Sequence, residues 1–412
     1  MRLKLQNIGI IEEANINVDG ITLIAGQNDS GKSTIGKVLY SVVKGFNLPE
    51  NLFHEKRNRM ISYYYQDILK ELKKNWSEDI TEYLTKEINN DWIDQIEELI
   101  QKDSIPEEIK KPILNKIFYL KSHFEKQYNT IEQKQEEIEL WLRSEITILH
   151  NVFDVPKKEF KIELEDLLGN AIIEDRFKNI STENVYISLS DNLETYYKET
   201  YYIESPLIID EQLQRFVGKD DTQGYNRSRQ EELAKSLSNP TQTNTLDYSE
   251  IYKEISKIIN GEITIDLLEG VRYKKNNQDI AIKNTAVGIK SFGLIQLLLK
   301  NNRLNNRTLL IIDEPEVHLH PTWQVKYAEI LVTLSKEFDI PMVLTSHSPY
   351  FIEALEAFVK KHNYEKSTNF YFAEKNEDGL SSRIIDVTKD ISPILSSISE
   401  AFYKIQDIND ED

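Results

Sequence analysis

Three hydrophobic patterns divide this chain. Near the N-terminus, Arg2 to Gln6 and Ile10 to Val18 predict two strands, and in the second Ile10, Ala14, Ile16 and Val18 broadly alternate with polar neighbours. Asp19-Gly20 signals a turn into Ile21 to Ala25, a short apolar run readable as a buried strand. The period then changes, and Ile35, Val38, Leu39 and Val42 share one face of a helix over Ile35 to Val43.

From Ile61 to about His150 the sequence is helical and strongly charged. Ile61, Tyr64, Tyr65, Ile68, Leu69 and Leu72 form one stripe, and Ile80, Leu84, Ile88, Trp92, Ile96 and Leu99 a second. Pro106 and Pro112 punctuate a turn. A third stripe then collects Ile113, Ile117, Leu120, Phe124, Tyr128, Ile131, Ile138, Leu142, Ile146 and Leu149, with Gln135 its one polar member. A spacing of about 3.6 residues suits packed antiparallel helices better than a long supercoil. Mutual burial of the stripes accounts for the periodicity. A protruding arm that meets a partner is the functional alternative.

Strand character returns from Phe160 to Leu189, with Phe160 to Leu164 and Val185 to Leu189 the clearest runs, and again over Tyr201 to Ile209. Residues 218–247 are rich in Gly, Asn, Ser, Thr and Gln and read as a loop, mobile over Ser238 to Thr245. A helix over Tyr248 to Ile259 stops at Asn260-Gly261, and two strands flank an Asn276-Asn277 turn. After strands at Phe370 to Phe372 and Arg383 to Val387 come a short helix and an acidic tail. No internal repeat is visible.

Chemistry enters between the third strand and the first helix. Gly26-Gln27-Asn28-Asp29-Ser30-Gly31-Lys32-Ser33-Thr34 fits the phosphate-loop pattern G-x-x-x-x-G-K-[ST] and lies where that loop must, after a strand and opening a helix. Its backbone N–H groups would point at phosphate oxygens, with the partial positive charge of the helix N-terminus behind them. Lys32 would reach the β- and γ-phosphates of ATP, and the Ser33 hydroxyl would ligate Mg²⁺.

Leu309-Leu310-Ile311-Ile312-Asp313-Glu314 is an apolar strand ending in two carboxylates, the Walker B pattern. Asp313 would hold Mg²⁺ through water, and Glu314 would polarise the attacking water. Glu316-Val317-His318-Leu319-His320-Pro321 follows and heads a helix with proline at its first position. The spacing of His318 and His320 is not that of a helical metal pair. Met342 to Ser346 is a further strand, and His347 lies just beyond its end, within reach of a γ-phosphate.

Composition narrows the setting. The 412 residues have room for two or three domain-sized units, and 40% are hydrophobic, enough for a core. There is no cysteine, which excludes disulfides, cysteine-zinc sites and thiol nucleophiles. No apolar run reaches about 18 residues and the N-terminus opens a strand, so a soluble cytoplasmic protein is expected, with no membrane partner. A net charge of −19 argues against indiscriminate binding to DNA, although a local basic patch remains compatible with it.

The order of phosphate loop, helical insertion, Asp313-Glu314-Pro315, Glu316 to Pro321 and Ser346-His347-Ser348-Pro349 resembles the ABC-type ATPases. More narrowly it resembles the RecF-like and OLD-like AAA ATPases of bacteria and phage defence islands. The motifs cover roughly 1–45 and 200–387. The resemblance implies an α/β fold: an ABC-type P-loop head with a mixed sheet flanked by helices and a large helical insertion. The expected division is 1–50 for the first part of the head, 51–155 for the insertion and 156–217 for a β-rich part. A mobile loop and short helix would span 218–261, and the rest of the head 262–412.

Members of that family dimerise head to tail, sandwiching ATP between the phosphate loop of one subunit and the signature motif of the other. Thr285-Ala286-Val287-Gly288-Ile289-Lys290-Ser291, opening a helix over Phe292 to Lys300, matches that signature, with Gly288 where the family glycine sits. Ala286 replaces the usual serine, so the resemblance leaves the trans contact to Lys290 or to the Gly288 backbone. The family's glutamine has no evident counterpart, and Glu204 is its stand-in. No Toprim nuclease domain is read. The function implied is an ATP-driven switch, a homodimer or higher oligomer controlling a protein effector in anti-phage defence. The alternative is a DNA-repair or chromosome ATPase that clamps DNA.

Overall fold

The computed structural model describes residues 1–47, 50–75, 89–102, 107–125, 160–165, 171–177, 197–210, 229–238, 246–266, 269–377 and 379–399. The chain forms two compact units, Met1–Asn47 with Gln135–Asp412, and Leu48–Lys134. The second unit begins close to the insertion boundary expected at residue 51 and ends short of residue 155.

The strands are β1 (Arg2–Ile8), β2 (Ile11–Asn17), β3 (Ile21–Ala25), β4 (Phe160–Glu165), β5 (Ala171–Phe177), β6 (Glu199–Ile203) and β7 (Glu262–Asp266). They continue with β8 (Gly270–Lys275), β9 (Gln278–Ala281), β10 (Thr308–Asp313), β11 (Met342–Ser346), β12 (Thr368–Lys375) and β13 (Ser382–Asp386). The helices are α1 (Lys32–Phe46), α2 (Glu50–Asn75), α3 (Asn90–Lys102), α4 (Glu107–Glu125) and α5 (Arg229–Ser238). They are followed by α6 (Ser249–Ile259), α7 (Val287–Lys300), α8 (Pro321–Phe338) and α9 (Pro349–Lys361).

Among the described residues, ten strands make one mixed sheet in the order β5-β4-β1-β2-β13-β12-β3-β11-β10-β6. The half from β12 to β6 is parallel, and β1, β2, β4 and β5 pair antiparallel. Side-chain alternation divides the core between the two sheet faces. Leu23, Leu310, Ile312 and Leu344 enter one cluster with α6, α7, α8 and α9. Ile24, Leu309, Ile311 and Val343 enter the other, against Ile35, Val38, Leu39 and Val42 of α1. Cover on both faces explains why the central parallel strands read as apolar runs rather than as alternation. A separate antiparallel sheet, β7-β8-β9, packs on α7, where Gln296 Oε1 accepts a hydrogen bond from the N–H of Ile263 at 3.1 Å.

The second unit is a bundle built from the stripes themselves. Ile61, Ile68 and Leu72 of α2 meet Trp92, Ile96 and Ile100 of α3 and Ile113, Ile117 and Leu120 of α4 in one buried cluster. Tyr65 packs edge-on against Trp92 at 4.8 Å between ring centroids. Within the second stripe α3 begins at Asn90, where Asn89 Oδ1 accepts from the N–H of Trp92 at 2.8 Å. Pro112, expected to mark the turn, lies inside α4. The stripe residues Ile80, Leu84, Ile88 and Tyr128 to Leu149 lie outside the described residues, as do the run Val185 to Leu189 and the acidic tail.

Three expectations in the first unit are corrected. The strand over Tyr201 to Ile209 ends at Ile203, because Pro206 lacks an N–H and Ser205 Oγ takes the N–H of Leu207 at 3.2 Å, turning the chain. Residues 229–238, expected within a loop, form α5, whose Leu233, Ala234 and Leu237 enter the core. Its polar surface hid the buried i, i+4 pair. Finally, α7 starts at Val287 rather than Phe292, so Gly288 and Lys290 lie in its first turn.

Candidate nucleotide site

The parallel strands bring the chemistry to one edge of the sheet. β3, β11 and β10 are neighbours with the same direction, so their C-terminal ends, and the residues just beyond them, are adjacent. α1 crosses to one face after β3 while α8 and α9 cover the other, which leaves a crevice at that edge. Residues Asn28 to Thr34 line a cleft there of about 340 Å³, together with Ile10, Lys37 and Glu314.

The phosphate loop is held by its own backbone. Gly31 caps α1 with φ 85°, and a Cβ there would lie 2.7 Å from Ile11 Cγ1, so this position admits only glycine. Gly26 begins the turn, its N–H bonded to Ser346 O at 3.2 Å, and Gln27 O accepts from Ser30 Oγ at 2.8 Å. The Lys32 ammonium donates to that same carbonyl at 2.7 Å. Burial lowers the Lys32 pKa, opposed by the nearby carboxylates of Glu314, Asp313 and Glu316.

Asp313 gathers hydroxyls. Ser33 Oγ donates to its Oδ1 at 2.9 Å, Thr345 Oγ1 donates to the same oxygen, and Tyr202 OH donates to Oδ2 at 3.1 Å. Ser33 and Asp313 thus place two oxygen donors together beside the phosphate loop, the ligand type a hard divalent cation takes. Next along, Glu314 Oε1 lies 3.1 Å from His347 Nδ1. The hydrogen bond from His347 lowers the Glu314 pKa, and the same bond raises that of His347.

Glu204 stands beside this cluster because β6 pairs in parallel with β10, with Ile203 opposite Ile312. Its carboxylate is 3.6 Å from Arg229 Nη2, and that guanidinium lies 4.8 Å over the ring of Tyr202. The structure does not gather the signature residues with these. Lys290 is 3% exposed and its Nζ is 2.6 Å from Asp210 Oδ2, so it is not free to reach another subunit. That expectation is withdrawn for Lys290. Gly288 is buried under Trp323, and a Cβ on it would come within 2.9 Å of Trp323 Cε3, a packing requirement within its own subunit. His320 caps α8 through Nδ1, which accepts from the N–H of Thr322 at 3.4 Å.

The sequence carried no assignment for Tyr202, Thr345 or Arg229. Tyr202 and Thr345 carried a faint signal, as polar atoms near the ends of strands whose partners end in carboxylates.

Residues 1–352 match the family model described as the AAA ATPase domain. Among solved structures the chain is similar to the SMC head domain from Thermotoga maritima, at 11% identity over 94% of this chain and 98% of that one, with a TM-score of 0.39. It is also similar to the ATP-binding cassette of an ABC transporter in its ADP conformation, at 12% identity over 98% and 99% of the two chains, with a TM-score of 0.37. Among the described residues no helix is long and apolar enough to cross a membrane. With its phosphate loop, paired carboxylates and histidine at one sheet edge and a family match across most of its length, the chain belongs to the AAA ATPase domain family and is an ATP-hydrolysing enzyme.

Proposed function

We propose that this chain is an ATP-driven switch: ATP binding closes a head-to-tail homodimer, hydrolysis reopens it, and an effector protein reads the change, in anti-phage defence. The observation that carries the switch is the contact between His347 Nδ1 and Glu314 Oε1 at 3.1 Å, set beside Lys32 and the Ser33–Asp313 pair. Lys32, Ser33, Asp313, Glu314 and His347 lie together at one edge of the sheet, which supports the reading. The defence setting and the effector rest on the family resemblance alone.

In this reading Lys32 exchanges the carbonyl of Gln27 for β- and γ-phosphate oxygens, and the backbone N–H groups of the loop hold the rest. Ser33 and Asp313 would hold Mg²⁺, which would supply charge neutralisation at the phosphates. Glu314, ionised at neutral pH, accepts a hydrogen bond from the attacking water. That water's oxygen bonds to the γ-phosphorus as the bond to the ADP oxygen breaks. His347 holds the proton that contacts the γ-phosphate, and Glu204, just past the end of β6, stands beside Asp313. The backbone of Gly288, at the N-terminus of α7, meets the ATP of the other subunit.

Complementation tests the composite site. A bulky residue at the exposed Ala286, which caps α7, should block closure without disturbing the core. Ala286→Trp and Lys32→Ala subunits, each inactive alone, should regain one working site when mixed. A mixture that stays inactive removes the head-to-tail dimer. A pull-down with neighbouring gene products, with and without ATP, tests the effector. ATP-dependent retention of DNA in place of protein would favour the chromosome-associated alternative.

A further inference from the structure

Glu316 lies two residues past Glu314, yet it does not line the nucleotide cleft and is only 3% exposed. Burial is the main cause raising its pKa. A carboxyl group this deep persists only where donors compensate its lost hydration. Apart from its own backbone, its donors among the described residues come from one short stretch, Ser346 to Ser348. Ser346 Oγ donates to Oε1 at 2.7 Å, the N–H of His347 at 2.9 Å and the N–H of Ser348 at 3.2 Å. The same oxygen is 3.6 Å from His347 Nδ1, and Oε2 has no hydrogen-bond partner among the described residues.

The segment is the two-residue connector between β11, ending at Ser346, and α9, beginning at Pro349. Its amides fall between strand and helix, where neither ladder supplies an acceptor, and Glu316 supplies one. The two glutamates therefore hold one histidine by different handles: Glu314 engages the ring, Glu316 the main chain. Geometry at such a pair matters steeply, since a misplacement of about 1 Å can cost about a hundredfold in rate.

We propose that Glu316 is a positioning residue, anchoring the connector so that the His347 ring stands where hydrolysis needs it. This rests on the reading of Glu314 and His347 as the hydrolytic pair. Glu316 acts on turnover more than on nucleotide affinity, because its hydrogen bonds go to Ser346, His347 and Ser348 and none goes directly to the phosphate loop.

A double-mutant cycle with the full-length protein tests it, reading kcat, KM and the Kd for ATP. Glu316→Ala should lower kcat by about 10- to 100-fold with the Kd for ATP within about threefold of wild type. Glu316→Gln, which keeps an acceptor at Oε1, should recover most of that loss. In a His347→Ala background Glu316→Ala should change kcat by less than about twofold, because the group it positions has gone. If the two losses multiply, Glu316 does not act through His347 and the inference falls. If His347→Ala alone leaves kcat intact, the reading of the histidine fails first and takes this inference with it. Should Glu316→Ala not fold by circular dichroism, Ser346→Ala, which removes one donor to Glu316, completes the cycle in its place, with the same non-additivity against His347→Ala expected.

Discussion

Ser33 and Asp313 are 280 positions apart in the chain, and the hydroxyl of the first donates to the carboxylate of the second at 2.9 Å. Neither residue could find the other without β11, which lies between β3 and β10 and aligns their C-terminal ends. The same carboxylate takes the phenol of Tyr202 at 3.1 Å on its second oxygen, so its orientation is set from two sides.

Tyr202→Phe should therefore loosen metal use while sparing the fold. Loss of one hydrogen bond costs about 1 kcal/mol of stability. The Mg²⁺ concentration for half-maximal ATP turnover should rise by about three- to tenfold, in line with the loss of an outer partner to a metal ligand. Turnover measured across a Mg²⁺ titration, with urea unfolding alongside, decides it. An unchanged Mg²⁺ curve would remove Tyr202 from the site.

Lys32 and Glu314 should separate binding from chemistry. Lys32→Ala is expected to lose nucleotide binding, whereas Glu314→Gln should bind ATP, fall at least about a hundredfold in turnover and accumulate as a dimer. Calorimetry with ATP and size-exclusion chromatography read both effects. Full turnover by the glutamine variant would take the water-polarising role away from Glu314.

The pair of Glu314 and His347 predicts a titration. The His347 pKa is raised above 6.5 chiefly by its hydrogen bond to Glu314, whose own pKa is lowered below 4.5 by the same bond. His347 binds its proton more tightly when folded, so that contribution is complete below pH 6.5 and is lost as pH rises through the raised value. Glu314 contributes above pH 4.5 and loses its share as pH falls through the lowered value. Between those limits both are charged. The side chains are 40% and 31% exposed, so solvent screens the pair and the effect belongs to titration more than to stability. NMR should find the His347 titration above 6.5 in the wild type and shifted back towards it in Glu314→Gln. No movement between the two proteins would mean the bond is not formed in solution.

Lys290 and Asp210 carry a stability prediction in place of the trans contact once expected of Lys290. Lys290→Met strands the Asp210 carboxylate, whose Oδ1 has no hydrogen-bond partner among the described residues, and should destabilise by about 2–4 kcal/mol. Lys290→Met with Asp210→Leu should recover much of that. Urea unfolding of the three variants gives the answer, and a destabilisation below about 0.5 kcal/mol for the single change would show that the pair is not buried.

The local chemistry of this protein was legible in its sequence wherever one segment contains the whole signal. The phosphate loop needs a strand, two glycines and a helix start within a few residues, and β3, Gly26, Gly31 and α1 lie together in that order. An apolar run ending in Asp313-Glu314 likewise announces a central strand, because only a strand covered on both faces can be apolar throughout. The stripes of α2, α3 and α4 predicted their own burial, since period alone fixes which residues share a helical face. Tertiary structure decided what a polar side chain does when its partner is distant in sequence. Glu316 read as one acid among several beside two histidines, and became the anchor of the His347 connector only when β10 and β11 paired. Lys290 read as a candidate for the trans contact and is paired inward with Asp210, while the polar surface of α5 hid the leucines that hold it to the core. Hydrophobic periodicity is written along the chain, but a buried polar group is stable only beside its partner, and that neighbour is chosen by the packing of the whole sheet.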